Sequence, residues 1–161
     1  METPNNDEKG KEHCIAKGES AASHHYWRET DKKVLTNIKV NRDVEAMLPD
    51  LDKIKSSEQG EVPLAPTLTT RARTALVLPK LGSASLISLG QLCDDGCRVV
   101  LRKKYLDVVK NGKVILKGTR NRQDKLWDIP IPQALNNSHP QTMKESVILT
   151  YMFQENNILN A

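Results

Sequence analysis

The chain has 161 residues, of which 38% are apolar and only 4% aromatic, and it carries a formal charge of +4. That length suits one domain with loose ends. So few aromatics exclude a large aromatic-lined enzyme interior, leaving a small core of Val, Ile and Leu. No apolar run approaches the ~20 residues a membrane-spanning helix needs, and residues 1–12 are too polar and charged for a signal peptide.

Residues 1–13 hold no Val, Ile, Leu, Phe, Tyr or Trp and read as a disordered leader. Order is expected to begin near Cys14-Ile15-Ala16. Val34 to Val40 alternates apolar and polar residues, the pattern of a half-buried strand. Asn41-Arg42-Asp43 predicts a turn, followed by a short strand from Val44 to Leu48 that Pro49 ends. Ile54 to Leu64 contains Gly60 and Pro63, which predicts an exposed hairpin or edge strand. Ala75-Leu76-Val77-Leu78 is a short continuous apolar run, the mark of a strand buried on both sides. Ser85 to Gly90 is another apolar segment, and Gln91 to Gly96 predicts one helical turn closed by a glycine.

The clearest local signal lies further on. Cys97 to Arg102 alternates, and Tyr105 to Val109 runs into Lys110-Asn111-Gly112-Lys113 and then Val114-Ile115-Leu116. Asn-Gly between β-branched runs predicts a tight hairpin, because both central residues need positive φ. The expected register sets Val108-Val109 against Val114-Ile115. Gly118 and Asn121 predict the next turn, and Leu126 to Ile129 a strand stopped by Pro130 and Pro132. Residues 133–161 read as a loosely ordered tail, with a helix or strand over Val147 to Phe153. Short strands every 8–12 residues predict an all-β fold: a small closed or partly open antiparallel β-barrel over 14–132, with a short helix near 91–95.

Charge and thiols narrow the chemistry. Ten Lys and Arg fall between Arg98 and Lys125, opposed only by Asp107 and Asp124, so that stretch carries +8 and the rest of the chain −4. It reads as a solvated cationic face on a strand pair, with weak, non-specific and salt-dependent nucleic-acid binding as the functional alternative. Tyr105 and Trp127, its two aromatics, fit core positions. Three cysteines (Cys14, Cys93, Cys97) point to a reduced intracellular protein, with nothing to separate cytoplasm from nucleus. Cys93 and Cys97 have no second ligand pair at zinc spacing, so no metal and no cofactor is expected. His24-His25 beside Glu19 is a weak candidate metal or general-base site. Ser20 and Ser23 lack nucleophile-elbow glycines and a specified acid partner. Gly82 to Gly90 lacks phosphate-loop spacing.

The run Leu86-Ile87-Ser88-Leu89-Gly90-Gln91-Leu92-Cys93-Asp94-Asp95-Gly96, the Asn111-Gly112 hairpin, Leu116-Lys117-Gly118-Thr119-Arg120 and Leu126-Trp127-Asp128 together resemble the protease region of copia-type retrotransposon Pol polyproteins. The likeness spans about residues 14–132 and is most specific from Pro79 to Pro132. It implies a retropepsin-like β-barrel, one half of a homodimeric aspartic protease with a peptide groove. It also implies a glycine, here Gly90, packed beneath the active-site loop. The family motif Asp-Ser-Gly-Ala-Ser-x-His falls on Glu19-Ser20-Ala21-Ala22-Ser23-His24-His25. Glu19 stands where the resemblance requires the catalytic Asp, and Ala21 where it requires Gly. An extra methylene moves the carboxylate by about 1.5 Å, and a misplacement of about 1 Å can cost roughly 100-fold in rate. A Cβ at Ala21 adds strain if the loop needs positive φ there. The flap hairpin expected near residues 49–54 lacks its glycine turn, reading Asp50-Leu51-Asp52-Lys53. The expectation is therefore a degenerate, inactive protease domain at Glu19, Ser20 and Ala21. The alternatives are a weakly active aspartic endopeptidase and a basic β-domain that binds nucleic acid.

Overall fold

A computed structural model describes residues 14–48 and 52–132. The predicted leader, the tail with Val147 to Phe153, and Pro49, Asp50 and Leu51 of the expected flap hairpin lie outside these residues. Ten strands form one sheet: β1 (Cys14–Glu19), β2 (His25–Arg28), β3 (Thr36–Met47), β4 (Lys53–Glu61), β5 (Thr74–Leu78), β6 (Leu86–Ser88), β7 (Arg98–Leu101), β8 (Tyr105–Lys110), β9 (Lys113–Arg120) and β10 (Trp127–Ile131). Three short helical segments join them: a 3₁₀ turn at Glu29–Val34, α1 (Thr70–Arg73) and α2 (Leu89–Asp94). The all-β class is as expected, with two helical segments more than the sequence suggested.

The order β3-β4-β5-β2-β6-β1-β10-β9-β8-β7 leaves the sheet open at β3 and β7, so it is not a closed barrel. Nor is it wholly antiparallel: β1 runs parallel to β6, and β2 parallel to β5. β1 and β2 are consecutive, yet β6 lies between them. Such crossovers leave no local sequence signal, because a parallel partner arrives from far along the chain.

One core packs Ala16, Trp27, Val77, Ile87, Leu92, Leu106, Val108, Ile129 and Ile131. A smaller cluster joins Ala22, Tyr26, Ala46, Leu76 and Leu78. Apolar burial on this pattern supplies the driving force, at roughly 1.5–3 kcal/mol for each fully buried aliphatic or aromatic side chain. β5 is buried from Ala75 through Leu78, as its unbroken apolar run predicts.

Several local expectations change. Asn41-Arg42-Asp43 makes no turn: β3 continues through it with a register shift between Val40 and Val44, a bulge that absorbs the polar residues. β4 forms a hairpin with β3; its first half pairs with β3 alone, while Glu58 to Glu61 pair with β5 as well and are no edge, and Pro63 lies beyond the strand's end. In the Asn111-Gly112 turn both residues have positive φ, 52° and 75°. The register shifts at Val108/Val109, so Val109 faces Val114 while Val108 faces Leu116, and Ile115 is the extra residue. Gly118 lies inside β9 rather than in a turn. A Cβ there would meet the Asp128 carbonyl oxygen at 3.0 Å, so close strand approach explains the glycine. Pro130 does not stop β10 but sits within it. There β10 pairs only with β1, so the missing N–H costs no ladder bond toward β9.

Candidate functional site

β1 delivers Glu19 to the edge of a short loop, residues 20–24, and its parallel register sets Glu19 beside Ser88 of β6. Glu19 is half-buried and folds back on the loop: Ala21 N–H donates to Glu19 Oε1 at 3.0 Å. Ser20 and Ala21 are exposed. Ala21 does not have positive φ, so the strain expected of a Cβ at this position is absent.

Beneath the loop the chemistry is dense. His25 is fully buried. Ser88 N–H donates to His25 Nδ1 at 2.9 Å, which makes Nδ1 the acceptor. Nε2 therefore carries the proton and donates to the Ala72 carbonyl at 2.7 Å. Burial lowers the His25 pKa to about 4, against the partly offsetting Ala72 hydrogen bond, so the ring is neutral. Ser88 Oγ donates to the Ala22 carbonyl at 2.7 Å and accepts from Gln91 N–H at 3.0 Å. Gln91 Oε1 accepts from His25 N–H at 2.8 Å, and Gln91 Nε2 donates to the Arg71 and Thr74 carbonyls. These three side chains tie β2, β6, α1, α2 and the start of β5 to the loop at Ala22.

Gly90 does not occupy that place. It is exposed, and a Cβ there would approach only Ser88 Oγ, at 3.8 Å. Ser88 packs against the loop instead. Ser88, Gln91 and His25 were not singled out by sequence as a network. Ser88-Leu89-Gly90-Gln91 has the spacing of a capping box, a signal that could have been read. Its second half is diverted: Gln91 reaches away, and Ser88 N–H takes His25 as its acceptor.

The β3–β4 hairpin touches the loop on its Ala22 side, by way of Tyr26 of β2. Tyr26 OH donates to the Met47 carbonyl near the far end of β3 at 2.9 Å, and Ser23 Oγ lies 2.7 Å from the same hydroxyl. Ala46 and Ala22 share the smaller apolar cluster with Tyr26. The far end of the β3–β4 hairpin is thus tied to the loop.

The remaining candidates separate. His24 is exposed while His25 is buried and fully bonded, so the pair forms no joint ligand site. Ser23 Oγ contacts His24 Nδ1 at 3.1 Å, a neighbour contact with no carboxylate bonded to His24 among the described residues. Asp31 is buried and structural. Ser85 Oγ donates to it at 2.6 Å, and Arg28 Nε at 2.9 Å. Burial raises the Asp31 pKa, but these hydrogen bonds together outweigh it and hold the carboxyl below its usual range. Cys14 is buried close by, and burial, then the Asp31 charge, pushes its thiol up to about 12. Cys93 is exposed on α2 and Cys97 buried. Among the described residues no three His, Cys, Asp or Glu cluster as a metal site, and no helix is long and apolar enough to cross a membrane.

The arrangement can present one carboxylate at the end of β1, at the edge of a hydrogen-bonded loop beside a hairpin. No family model, no curated protein and no solved structure matches the chain.

Proposed function

We propose that the chain is a degenerate, retropepsin-like aspartic-protease domain of a copia-type Pol polyprotein that does not cleave peptides. The observation that carries this reading is the position of Glu19. It stands at the end of β1, beside its parallel partner β6, on a loop tied to a long β-hairpin. The resemblance expects the catalytic carboxylate and its flap in that relation. The loss of activity follows from the same loop. Two carboxylates, one from each of two copies, must share a proton and hold a water between them. Glu19 is a methylene too long for that geometry and is already engaged by Ala21 N–H.

The test is a peptidase assay on purified protein from about pH 3 to pH 7, the range in which a carboxylate pair shares its proton. The expected result is no pepstatin-sensitive cleavage. Glu19→Asp with Ala21→Gly should restore cleavage where two copies complete the site. Cleavage by the unaltered protein, abolished by Glu19→Gln, would replace this reading with that of a weakly active aspartic endopeptidase.

A further inference from the structure

The cationic stretch seen in the sequence does not form one face. Lys110 is spent on Asp95, Nζ to Oδ2 at 2.7 Å, and Lys117 Nζ is enclosed. Arg98 and Lys113 lie toward the Asn111-Gly112 end of β7–β9. The other six, Arg102, Lys103, Lys104, Arg120, Arg122 and Lys125, gather at the opposite end and are all exposed. They occupy two turns, 102–104 and 120–126, which Arg120 N–H joins by donating to the Lys104 carbonyl at 2.9 Å. Asp124 and Asp128 at this end are both engaged by Lys17, and Asp107 has Arg102 within 3.9 Å. The cations therefore face solvent with little opposing charge.

An aromatic ring stands among them. Tyr105 opens β8 directly after Lys104, opposite Thr119, and is 55% exposed rather than in the core. Arg102 N–H donates to the Tyr105 carbonyl, which closes the 102–105 turn and holds the ring's backbone beside the cations. Leu101 and Leu126 add exposed apolar surface on the same turns. Trp127, half-buried, lies under the Arg120 guanidinium at 5.8 Å.

We propose that these two turns form a binding site for single-stranded nucleic acid, with Tyr105 as the stacking platform for a base and the six cations as phosphate contacts. Cations alone would serve any polyanion. An exposed ring beside them favours unpaired bases, because every base has a π face that a duplex hides in its own stack. The site is independent of the Glu19 loop and of the reading given to it.

Fluorescence anisotropy with a labelled oligouridine about twelve nucleotides long suits the expected footprint. Binding should be measurable at low salt and weaken with salt, with a log–log slope no steeper than about −4 for six contacts at ~0.7 each. Tyr105→Ala should weaken binding roughly 5- to 150-fold, the loss of one base stack, and Tyr105→Phe should restore it. Lys103→Gln with Lys104→Gln should flatten the slope by about 1.4. Lys113→Gln, at the far end, should change neither. Each variant is on the surface and should keep the native melting temperature. The proposal fails if Tyr105→Ala binds as the native protein does, or if a duplex of equal length binds as tightly as the single strand. It also fails if phosphatidylserine vesicles outcompete the oligonucleotide, or if Lys113→Gln weakens binding as much as the Lys103/Lys104 pair.

Discussion

The loop after β1 reaches across the molecule for its hydrogen bonds, whereas the meander β7–β8–β9 finds its own next door. His25 bonds Ala72 and Ser88, 47 and 63 residues away. Ser88 bonds Ala22 across 66 residues. In the meander, Val109 meets Val114 and Lys110 meets Lys113 across a two-residue turn. A region whose polar groups are satisfied from afar is costly to disturb, since losing one side chain strands several buried backbone groups. A region built on neighbours yields locally. The contrast also separates two surfaces: a hydrogen-bonded loop beside the Glu19 carboxylate, and an exposed turn pair that carries six cations.

The largest expected effect is on the loop. His25→Leu keeps an apolar body but leaves Ser88 N–H and the Ala72 carbonyl buried without a partner. At about 1–3 kcal/mol for each stranded group, the loss should be about 4 kcal/mol, a large part of a small domain's stability. A urea midpoint close to that of the native protein would break the comparison at its strongest point.

Acid probes the same residue without mutation. Above pH 6.5 neither the folded nor the unfolded chain protonates His25, so stability is flat there. Between pH 6.5 and the folded value of about 4, the unfolded chain takes up a proton that the folded chain refuses. Stability should fall through that window at ~1.4 kcal/mol per pH unit, about 3 kcal/mol in all. Asp31 is held below the usual carboxylate range, so its contribution is complete above the ordinary carboxylate value and is lost progressively as pH falls from there through its lower folded value. Urea unfolding at a series of pH values checks this, and a flat profile from neutral pH to pH 4 counts against the neutral buried ring.

The smallest effect belongs to the meander. Gly112 has φ +75° with nothing near an added Cβ, so only backbone conformation opposes a side chain there. Gly112→Val should cost about 1 kcal/mol, because a β-branched residue resists positive φ. A loss as large as that of His25→Leu would mean the hairpin is as tightly coupled to the fold as the loop, and the contrast would disappear.

Sequence alone determined the all-β class, the β5 strand, the α2 turn with its closing Gly96, and the Asn111-Gly112 hairpin. Each rests on neighbours: an unbroken apolar run, a helix-ending glycine, two residues that accept positive φ. It also located the 98–125 cations and the position of Glu19. Only the tertiary structure decided that Asn41-Arg42-Asp43 bulges instead of turning and that β6 separates β1 from β2. It alone decided that Ser88 rather than Gly90 packs against the loop, and that Tyr105 stands out in solvent among six of the ten cations. A strand's period tells which residues share a face, but its partner is set by burial summed over distant segments. No window of sequence contains the Ala72 carbonyl that fixes the His25 proton or the Lys17 that takes Asp124 and Asp128 away from the basic turns.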